Sequence, residues 1–506
     1  MTESSSATRT LSTAATGHWI GGETVTPAAE PSIAVDSPTT GELITEIPLA
    51  SQETVDHAVA TAKEAFSSWG SISLSKRTQI IFRYRELLNA RKGELAQIIS
   101  REHGKVFSDA LGEVQRGLEV VEFACGIPHL LKGSQSVNAS TDVDVHSARH
   151  PLGPVAIITP FNFPAMVPMW FTPLAVATGN TVVIKPSEKD PSAVNWQAEL
   201  WKEAGLPDGV VNVLHGDKGA VDGLLNHPDI EAVSFVGSTP VAQYVYETGT
   251  AAGKRVQALG GAKNHMMVLP DANLDRAADS AVSAGYGSAG ERCMAISVVV
   301  AVGDIADELV AKIAERTRGL RLDGDNPDLG PLINRAHRDK VRSYVDGAES
   351  EGASLVVDGR SWAESDKAEA AYLGPTLLDH VGPQMKSYQD EIFGPVLSVV
   401  RAETYHEALE LINSNPYGNG TAIFTRDGAA ARRFEMEVTV GMIGVNVPIP
   451  VPMAYYSFGG WKNSLFGDSH AHGAEGVNFY TRGKVVTARW GDPSEDGMQL
   501  GFPQND

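Results

Sequence analysis

Apolar residues recur at helical spacing along the N-terminal part of the chain. Between residues 53 and 70, positions such as Val55, Val59 and Ala62 follow one another at intervals of three or four residues. The same period continues across residues 75–103. Because side chains at this spacing share one face of a helix, we predict that this region is helical.

Short β-branched runs alternate with helix-like segments further along the chain. The runs are VAIIT at 155, TVVIK at 181, VVNVL at 210, AVSFV at 232 and HMMVL at 265. This alternation is typical of a parallel, doubly wound sheet, so we predict an α/β fold with a first sheet built from these runs. A second alternating region, residues 271–460, predicts a second domain.

Two outlying segments, residues 131–150 and 477–495, carry alternating polar and apolar residues. This pattern suits strands that lie apart from both sheets, and we predict that they form an oligomerisation region.

Residues 1–17 are rich in Ser, Thr and Ala and lack an apolar core beside a basic segment. We therefore expect a disordered tail there, not a secretion signal.

The composition is that of an ordinary enzyme and excludes several classes of partner. The chain has 506 residues, 42% hydrophobic and 20% charged, which is enough for two or three domains. Its net charge of −21 repels phosphate backbones and anionic lipid. No stretch has the apolar length that a bilayer requires. We therefore expect neither nucleic acid nor a membrane as a partner.

The two cysteines, Cys125 and Cys293, are too few for a disulfide framework and fit a reducing compartment, so we expect a cytoplasmic protein. Cys293 lies in GSAGERC, where Gly287 and Gly290 let the backbone turn tightly and bring a thiol up to a small electrophile. This makes Cys293 a candidate nucleophile. The alternative is a buried, unreactive thiol, which is our interpretation of Cys125 in VVEFAC.

The motif TPFNFP at residues 159–164 lies where a strand would end and a helix begin, the edge at which open α/β sheets bind ligands. An amide donor at Asn162 would suit an oxyanion on a tetrahedral intermediate. Alternatively, Asn162 only closes a local turn before Pro164.

Two further strand ends carry groups suited to a dinucleotide. In VVIKPSE, Lys185 can bind ribose hydroxyls or phosphate, and Glu188 would repel a 2′-phosphate and so favour NAD over NADP. The nearby cation Lys189 weakens that preference, because it could tolerate the extra phosphate. The alternative for all three residues is a solvated charged loop after the strand. In SFVGSTPVA, Gly237 and Ser238 open a helix that can present N–H groups to a pyrophosphate, although a full G-x-G-x-x-G is absent.

Taken together, these motifs resemble the aldehyde dehydrogenase superfamily. TPFNFP, VIKPSE, FVGST, LGG, a cysteine about 35 residues after that LGG, and EIFGPV at 391–396 occur in the family's order and spacing. The resemblance covers nearly the whole chain after residue 18. It implies a Rossmann-like NAD domain, an α/β catalytic domain and a small strand region that builds dimers or tetramers.

The resemblance also implies domain boundaries and site residues. The NAD domain would comprise residues 18–130 and 151–270, and the catalytic domain residues 271–460. Cys293 would attack the aldehyde carbon, and Asn162 would hold the oxyanion together with the Cys293 N–H group. The implied NAD-binding residues are Thr159, Phe161, Lys185, Glu188, Lys189, Ser238, Gly260 and Glu391.

One departure from the family pattern bears on the acyl acceptor. In hydrolytic members a glutamate precedes LGG and activates water, but here that position is Ala258. Losing such a base costs about a hundred- to ten-thousandfold in rate, whereas a thiol acceptor needs less help because sulfur is intrinsically nucleophilic. The departure therefore favours coenzyme A over water as the acceptor.

The stretches QALGGAKNH, GERCMAIS and the segment from SFGGWKNSLFG to VVTARW resemble one branch, the CoA-acylating methylmalonate-semialdehyde dehydrogenases. That branch converts malonate or methylmalonate semialdehyde to acetyl-CoA or propionyl-CoA with loss of CO2, in valine or inositol catabolism. A hydrolytic aldehyde dehydrogenase with another base, and a non-catalytic cofactor-binding protein of the same fold, are the alternatives.

A carboxylated substrate needs local cations, since the net charge is −21. Arg292 adjoins the nucleophile and can grip a carboxylate through two N–H groups. Arg116 matches a substrate-binding position of the branch, with a surface ion pair to Glu113 or Glu119 as the alternative. His470 and His472 lack nearby metal-ligand partners in sequence, and we predict no metal site.

Overall fold

The computed structural model describes residues 12, 14–322, 326–364 and 370–490. Of the predicted disordered tail, residues 1–11 and 13 lie outside this part. The prediction of disorder is wrong for the end of the tail, because Ala15 is buried and its N–H group donates to the Ser192 hydroxyl at 2.7 Å. Ala15 packs with Val35 and Ile47 in a small apolar cluster of its own.

The helical prediction for the N-terminal region is confirmed by α1 and α2. The helices are α1 (Gln52–Trp69), α2 (Leu74–His103), α3 (Phe107–Cys125), α4 (Ile127–Leu130), α5 (Met166–Thr178), α6 (Ser192–Glu203), α7 (Lys218–Asn226), α8 (Thr239–Ala251), α9 (Leu274–Tyr286), α10 (Ala306–Arg318), α11 (Arg335–Glu351), α12 (Lys386–Gln389), α13 (Tyr405–Ser414), α14 (Gly428–Glu437) and α15 (Gly473–Phe479).

The strands belong to two large sheets and three small ones. They are β1 (His18–Ile20), β2 (Glu23–Val25), β3 (Ser32–Asp36), β4 (Leu43–Pro48), β5 (Gln135–Ser140), β6 (Val143–Pro151), β7 (Pro154–Ile158), β8 (Thr181–Lys185), β9 (Val211–Val213), β10 (Ala232–Val236), β11 (Arg255–Leu259), β12 (Asn264–Val268), β13 (Ile296–Val302), β14 (Ser354–Val357), β15 (Thr376–Asp379), β16 (Val396–Ala402), β17 (Tyr417–Gly418), β18 (Gly420–Phe424), β19 (Met442–Val445), β20 (Trp461–Lys462), β21 (Leu465–Phe466) and β22 (Thr481–Arg489).

The first sheet has the order β2-β1-β9-β8-β7-β10-β11-β21, and its five central strands are parallel. Alternate residues of β7 face opposite cores, Val155 and Ile157 toward α2, α3, α5 and α6, and Ala156 and Ile158 toward α1, α7 and α8. The chain leaves β7 in one direction for β8 and returns to its other side with β10. A crevice therefore opens at the carboxyl ends of β7 and β10, where such a reversal places ligands.

The second sheet has the order β14-β15-β16-β13-β12-β18-β19. The run HMMVL at 265 forms strand β12 as predicted, but its assignment to the first sheet is wrong. It lies between β13 and β18, parallel to both. A continuous apolar run fits the centre of either sheet, so the local pattern of HMMVL does not specify the sheet to which it belongs. The chain crosses from the first sheet to the second between Leu259 and Asn264, not after residue 270.

The outlying segments form a three-stranded antiparallel sheet, β22-β6-β5, apart from the two large sheets, as their pattern predicts. Its last strand begins only at Thr481, because Gly473–Phe479 is helical. Residues 491–495 of the predicted region lie outside the described residues. The role of this sheet in oligomer assembly stays a prediction.

Within the described residues, none of the helices combines the length and apolarity needed to cross a bilayer.

Asn180 links the small sheet β22-β6-β5 to the first large sheet by hydrogen bonds. Its fully buried amide oxygen accepts the N–H groups of Leu152 and Gly153 at 2.7 and 3.0 Å, and its Nδ2 donates to the Tyr480 carbonyl at 2.9 Å. The side chain thus satisfies three backbone groups from two distant segments.

We expect Asn180→Ala to lower the free energy of unfolding by about 2–4 kcal/mol, because it leaves buried backbone groups unpaired. Urea denaturation followed by tryptophan fluorescence measures this. The control is Asn226→Ala on an exposed helix end, for which we expect a change under about 0.5 kcal/mol. Equal effects of the two substitutions would contradict the role given to Asn180.

Candidate active site

The candidate site lies between the carboxyl edge of the first sheet and the amino edge of the second. Asn162 follows β7 of the first sheet, whereas Cys293 precedes β13 and Glu391 precedes β16 of the second. Parallel strands bring such loops to one edge of each sheet. The folding of the two sheets therefore brings together residues that are more than 200 positions apart in sequence.

Cys293 follows a tight left-handed turn. Ser288, Ala289 and Gly290 have φ values of 53°, 51° and 75°. A Cβ atom at Gly290 would lie 2.2 Å from the Gly394 carbonyl oxygen, so only glycine fits there. After the turn, the Cys293 carbonyl accepts the side-chain amides of Asn264 and Asn419 at 2.9 and 3.0 Å. The second sheet thereby fixes the backbone of the candidate nucleophile.

Two cavities meet at Cys293. The first, of about 430 Å³, is lined by Asn162, Cys293 and all eight predicted NAD-binding residues: Thr159, Phe161, Lys185, Glu188, Lys189, Ser238, Gly260 and Glu391. The second, of about 400 Å³, is lined by Arg116, Arg292, Cys293 and the apolar side chains of Phe163, Met166, Trp170, Ile449, Val451 and Phe458. The thiol can thus meet one ligand from each side.

The surroundings of Cys293 disfavour its thiolate. Burial, followed by the nearby Glu391 carboxylate, raises the pKa of Cys293 to about 12, against the opposing effects of backbone N–H groups and Arg292. Burial also raises the pKa of Glu391 to about 7, although the Ala262 N–H group donates to it at 2.8 Å. Before ligands bind, the thiol is therefore protonated at neutral pH.

Asn162 is buried and held at both ends. Its side-chain Nδ2 donates to the Glu291 carbonyl at 3.0 Å, and its backbone carbonyl accepts the Lys105 ammonium at 2.5 Å. The amide therefore points away from the local turn that was its alternative interpretation. Lys105 in turn pairs with Glu113 at 2.6 Å, with both side chains buried.

Lys105 and Glu113 are site residues that sequence reasoning missed. Glu113 also accepts the N–H groups of Ala165 and Met166 at the start of α5. The two residues lie eight positions apart near the start of α3, where nothing in the sequence distinguishes them from a surface pair. Their partner Asn162 is 57 positions from Lys105, so only the folded chain reveals the contact.

Lys185 and Glu188 form a 3.1 Å ion pair, with the Lys185 side chain almost fully buried. This is not the solvated loop of the alternative interpretation. Burial alone would raise the pKa of Glu188, but the ammonium groups of Lys185 and Lys189, together with backbone hydrogen bonding, lower it. The Lys189 ammonium lies 4.5 Å from the centre of the Phe161 ring. Glu188 is therefore an anion in the lining of the first cavity.

Polar groups at Thr159 and Ser238 face the first cavity. The Thr159 hydroxyl is buried and makes no hydrogen bond within the described residues. Ser238 precedes α8 without a side-chain capping bond, so its hydroxyl and the first N–H groups of this 13-residue helix are available to an anion. These groups fit the ribose and pyrophosphate of a dinucleotide.

The two predicted substrate-binding arginines already carry anionic partners. Arg292 pairs with Asp109 at 2.5 Å. Arg116 pairs with Glu119 at 2.7 Å, and not with Glu113, and also donates to the Pro452 carbonyl at 3.1 Å. Arg116 thus forms the ion pair of its alternative interpretation and still lines the second cavity.

Among the described residues, no three His, Cys, Asp or Glu side chains lie close enough together to hold a metal ion. His470 instead pairs with Glu475 at 3.2 Å, and His472 packs against Trp170 with ring centres 5.7 Å apart.

Comparison with known proteins points to one family. The sequence profile of the aldehyde dehydrogenase family matches residues 25–486. The malonate-semialdehyde dehydrogenase of Pseudomonas aeruginosa is 52% identical over 491 residues, which are 96% of this chain and 99% of that protein. The malonate-semialdehyde dehydrogenase 1 of Geobacillus thermodenitrificans is 50% identical over 94% of this chain and 98% of its own length.

Two solved structures are also similar to this chain. The methylmalonate-semialdehyde dehydrogenase of Oceanimonas doudoroffii superposes with a TM-score of 0.93 at 52% identity, covering 95% of this chain and 99% of that one. A structure from Sinorhizobium meliloti 1021, whose name assigns it to the same enzymes, is complexed with NAD and also gives a TM-score of 0.93, at 49% identity and the same coverage.

The electrostatic coupling between Glu391 and Cys293 is testable by alkylation. In a Cys125→Ser background, Glu391→Gln removes a negative charge beside the thiol, so the pKa of Cys293 falls. A fall of about one unit gives roughly tenfold more thiolate well below that pKa, and iodoacetamide should react faster by that factor at pH 8. Below about pH 6 the two proteins should converge, because Glu391, whose pKa is about 7, is then neutral in the parent too.

The control is Glu188→Gln, which removes a carboxylate elsewhere in the same cavity and should leave the alkylation rate unchanged. A rate at pH 8 that stays constant or falls in Glu391→Gln would contradict the coupling.

Proposed function

This chain belongs to the aldehyde dehydrogenase family, and we propose that it oxidises malonate or methylmalonate semialdehyde with NAD and transfers the acyl group to coenzyme A. The observation that carries this proposal is the position of Cys293 between a cavity suited to a dinucleotide and a cavity that contains two arginines. The semialdehyde named for its relatives carries a carboxylate that those arginines can bind.

In the proposed first step, the Cys293 thiol releases its proton to solvent, its sulfur attacks the aldehyde carbon, and a thiohemiacetal forms. The negative charge that develops on the aldehyde oxygen needs a donor. Among the described residues the Asn162 amide donates to Glu291 alone, which leaves its second N–H group for this role. NAD, when bound, supplies the hydride acceptor. Oxidation of the thiohemiacetal leaves a thioester on Cys293.

The first cavity supports NAD as the cofactor. Lys185 and Thr159 would contact hydroxyl or phosphate oxygens, and the start of α8 at Ser238 would bind the pyrophosphate. The anionic Glu188 would repel a 2′-phosphate. Lys189 is also close enough to lower the pKa of Glu188, but its ammonium group lies 4.5 Å from the centre of the Phe161 ring. These contacts favour NAD over NADP.

Arg292 and Arg116 would bind the substrate carboxylate in the second cavity. A guanidinium has five N–H donors, so each arginine can keep its present partner, Asp109 or Glu119, and still bind a further oxygen. Since those partners already balance the arginine charges, a carboxylate would be bound through the remaining N–H donors. This supports a substrate with one carboxylate near the aldehyde.

Loss of CO2 follows from the chemistry of such a thioester. The carboxylate is attached to the carbon that is α to the thioester carbonyl, so breaking the bond between the carboxylate carbon and this α carbon releases CO2 and leaves the electron pair in an enolate. Protonation of that carbon gives the acetyl or propionyl thioester. The enolate oxygen occupies the position that Asn162 serves in the first step, so one donor can stabilise both anions.

Coenzyme A, in our proposal, accepts the acyl group, giving acetyl-CoA or propionyl-CoA as in valine or inositol catabolism. Ala258, at the position of the hydrolytic base, is a fully buried methyl group in β11. The alternative is hydrolysis assisted by Glu391, which lines the cavity beside Cys293 and has its pKa raised by burial to about 7, a value suited to a general base.

NADH formation from malonate semialdehyde distinguishes the two acceptors. Without coenzyme A we expect a burst of at most one NADH per active site followed by slow turnover, because the thioester lacks a base for hydrolysis. With coenzyme A we expect turnover to continue at least about a hundredfold faster than that slow phase. Equal turnover in both conditions would reject the acylating proposal and favour hydrolysis.

The carboxylate contact is testable by comparing two three-carbon aldehydes, one with a carboxylate and one with a methyl group in its place. We expect Arg292→Ala to lower kcat/KM for malonate semialdehyde at least about tenfold more than kcat/KM for propanal. The ratio isolates binding of the carboxylate, since any change in thiol reactivity affects both aldehydes.

The control is Arg292→Lys, which keeps the charge but loses the fork of the guanidinium and should give an intermediate ratio. If Arg292→Ala leaves the ratio of the two aldehydes unchanged, Arg292 does not bind the carboxylate.

A further inference from the structure

Glu291, two residues before Cys293, is a fully buried carboxyl group that the proposed reaction does not use. Its Oε1 accepts the Ile333 N–H group at 3.2 Å. Its Oε2 is buried and has no hydrogen-bond partner within the described residues. A buried carboxyl so close to the nucleophile calls for a physical explanation.

The groups that face Glu291 leave it uncharged. His103 Nε2 lies 3.9 Å from Oε2, and His337 Nε2 lies 3.6 Å from Oε1. Burial raises the pKa of Glu291 to about 8, with Lys105 and Lys189 opposing that rise. Burial lowers the pKa of His337 to about 4 and that of His103 well below its usual value. At neutral pH this cluster therefore holds a neutral acid and two neutral imidazoles, not an ion pair.

The backbone of Glu291 contacts Asn162 directly. Its carbonyl oxygen accepts one of the two amide N–H groups of Asn162 at 3.0 Å. Because the amide is planar, fixing one N–H direction also fixes the other. Lys105 holds the Asn162 backbone carbonyl at 2.5 Å, so the orientation of the free N–H depends on the position of the Glu291 carbonyl.

That position needs an anchor. Residues 288–290, immediately before Glu291, are all in the left-handed region, which non-glycine residues such as Ser288 and Ala289 adopt only when their surroundings impose it. The hydrogen bond from Ile333 to the Glu291 carboxyl ties the end of this turn to a segment 42 positions away.

We propose that Glu291 is a positioning residue for Asn162: its carboxyl anchors the turn on the Ile333 N–H group, and its carbonyl oxygen thereby directs the free amide N–H of Asn162 toward the oxygen of the aldehyde bound at Cys293. The inference rests on the proposed function and deepens it. Glutamine at this position keeps an oxygen for Ile333 and should serve equally well, because the acid acts in its neutral form.

A double-mutant cycle on the NADH burst with malonate semialdehyde tests this. We expect Glu291→Ala to slow the burst at least about tenfold in the wild-type background, but less than about twofold in an Asn162→Ala background, where there is no amide left to direct. Glu291→Gln should stay within about threefold of wild type. Thermal denaturation and quenching of tryptophan fluorescence by NAD check that each variant folds and binds the cofactor.

An equal loss from Glu291→Ala in both backgrounds, or a Glu291→Gln variant as slow as Glu291→Ala, would overturn the proposal. If the alanine variant does not fold, Glu291→Asp, which shortens the reach of the carboxyl by one methylene, enters the same cycle with the same expectations. Absence of any burst in the wild-type protein would instead reject the proposed function, so the two failures are distinguishable.

Discussion

The hydrogen bonds that Asn264 and Asn419 donate to the carbonyl of Cys293 are the contacts on which the site depends. Asn264 begins β12 and Asn419 directly precedes β18, so two adjacent strands of the second sheet hold the backbone of one residue. The left-handed turn before Cys293 has no regular pairing of its own, and the sheet edge fixes where it ends. Every other group around the thiol, from Asn162 to Glu391, is effective only if that position is constant.

Charge neutralisation is the second principle of the site. Lys105 pairs with Glu113, Lys185 with Glu188, Arg116 with Glu119 and Arg292 with Asp109. Buried or half-buried cations of this kind require partners, because an unpaired ion loses its hydration without compensation. In a chain with a net charge of −21, these pairs keep four cations beside the cavities while adding no net charge there. Ligand anions can then be bound by residual donors.

The sequence was informative where chemistry and pattern coincide locally. The strands at 155, 181, 210 and 232 and the motifs that follow them could be predicted, because each signal lies within a few residues. The sheet to which HMMVL belongs could not be predicted, because its apolar run suits the centre of either large sheet. The sequence shows Glu291 only as part of the motif GSAGERC. Its role could not be predicted, because it depends on contacts with Ile333 and Asn162, which lie 42 and 129 positions away. Contacts of that range leave no periodic trace in sequence.

The arrangement of the two cavities at Cys293 has a consequence for how the specificity of each one can change. Of the described residues that line them, Cys293 is the one that both linings share. The residues that contact an occupant of one cavity are therefore, apart from Cys293, different from those that contact an occupant of the other. A residue on one wall can therefore change during evolution without altering the lining of the opposite cavity.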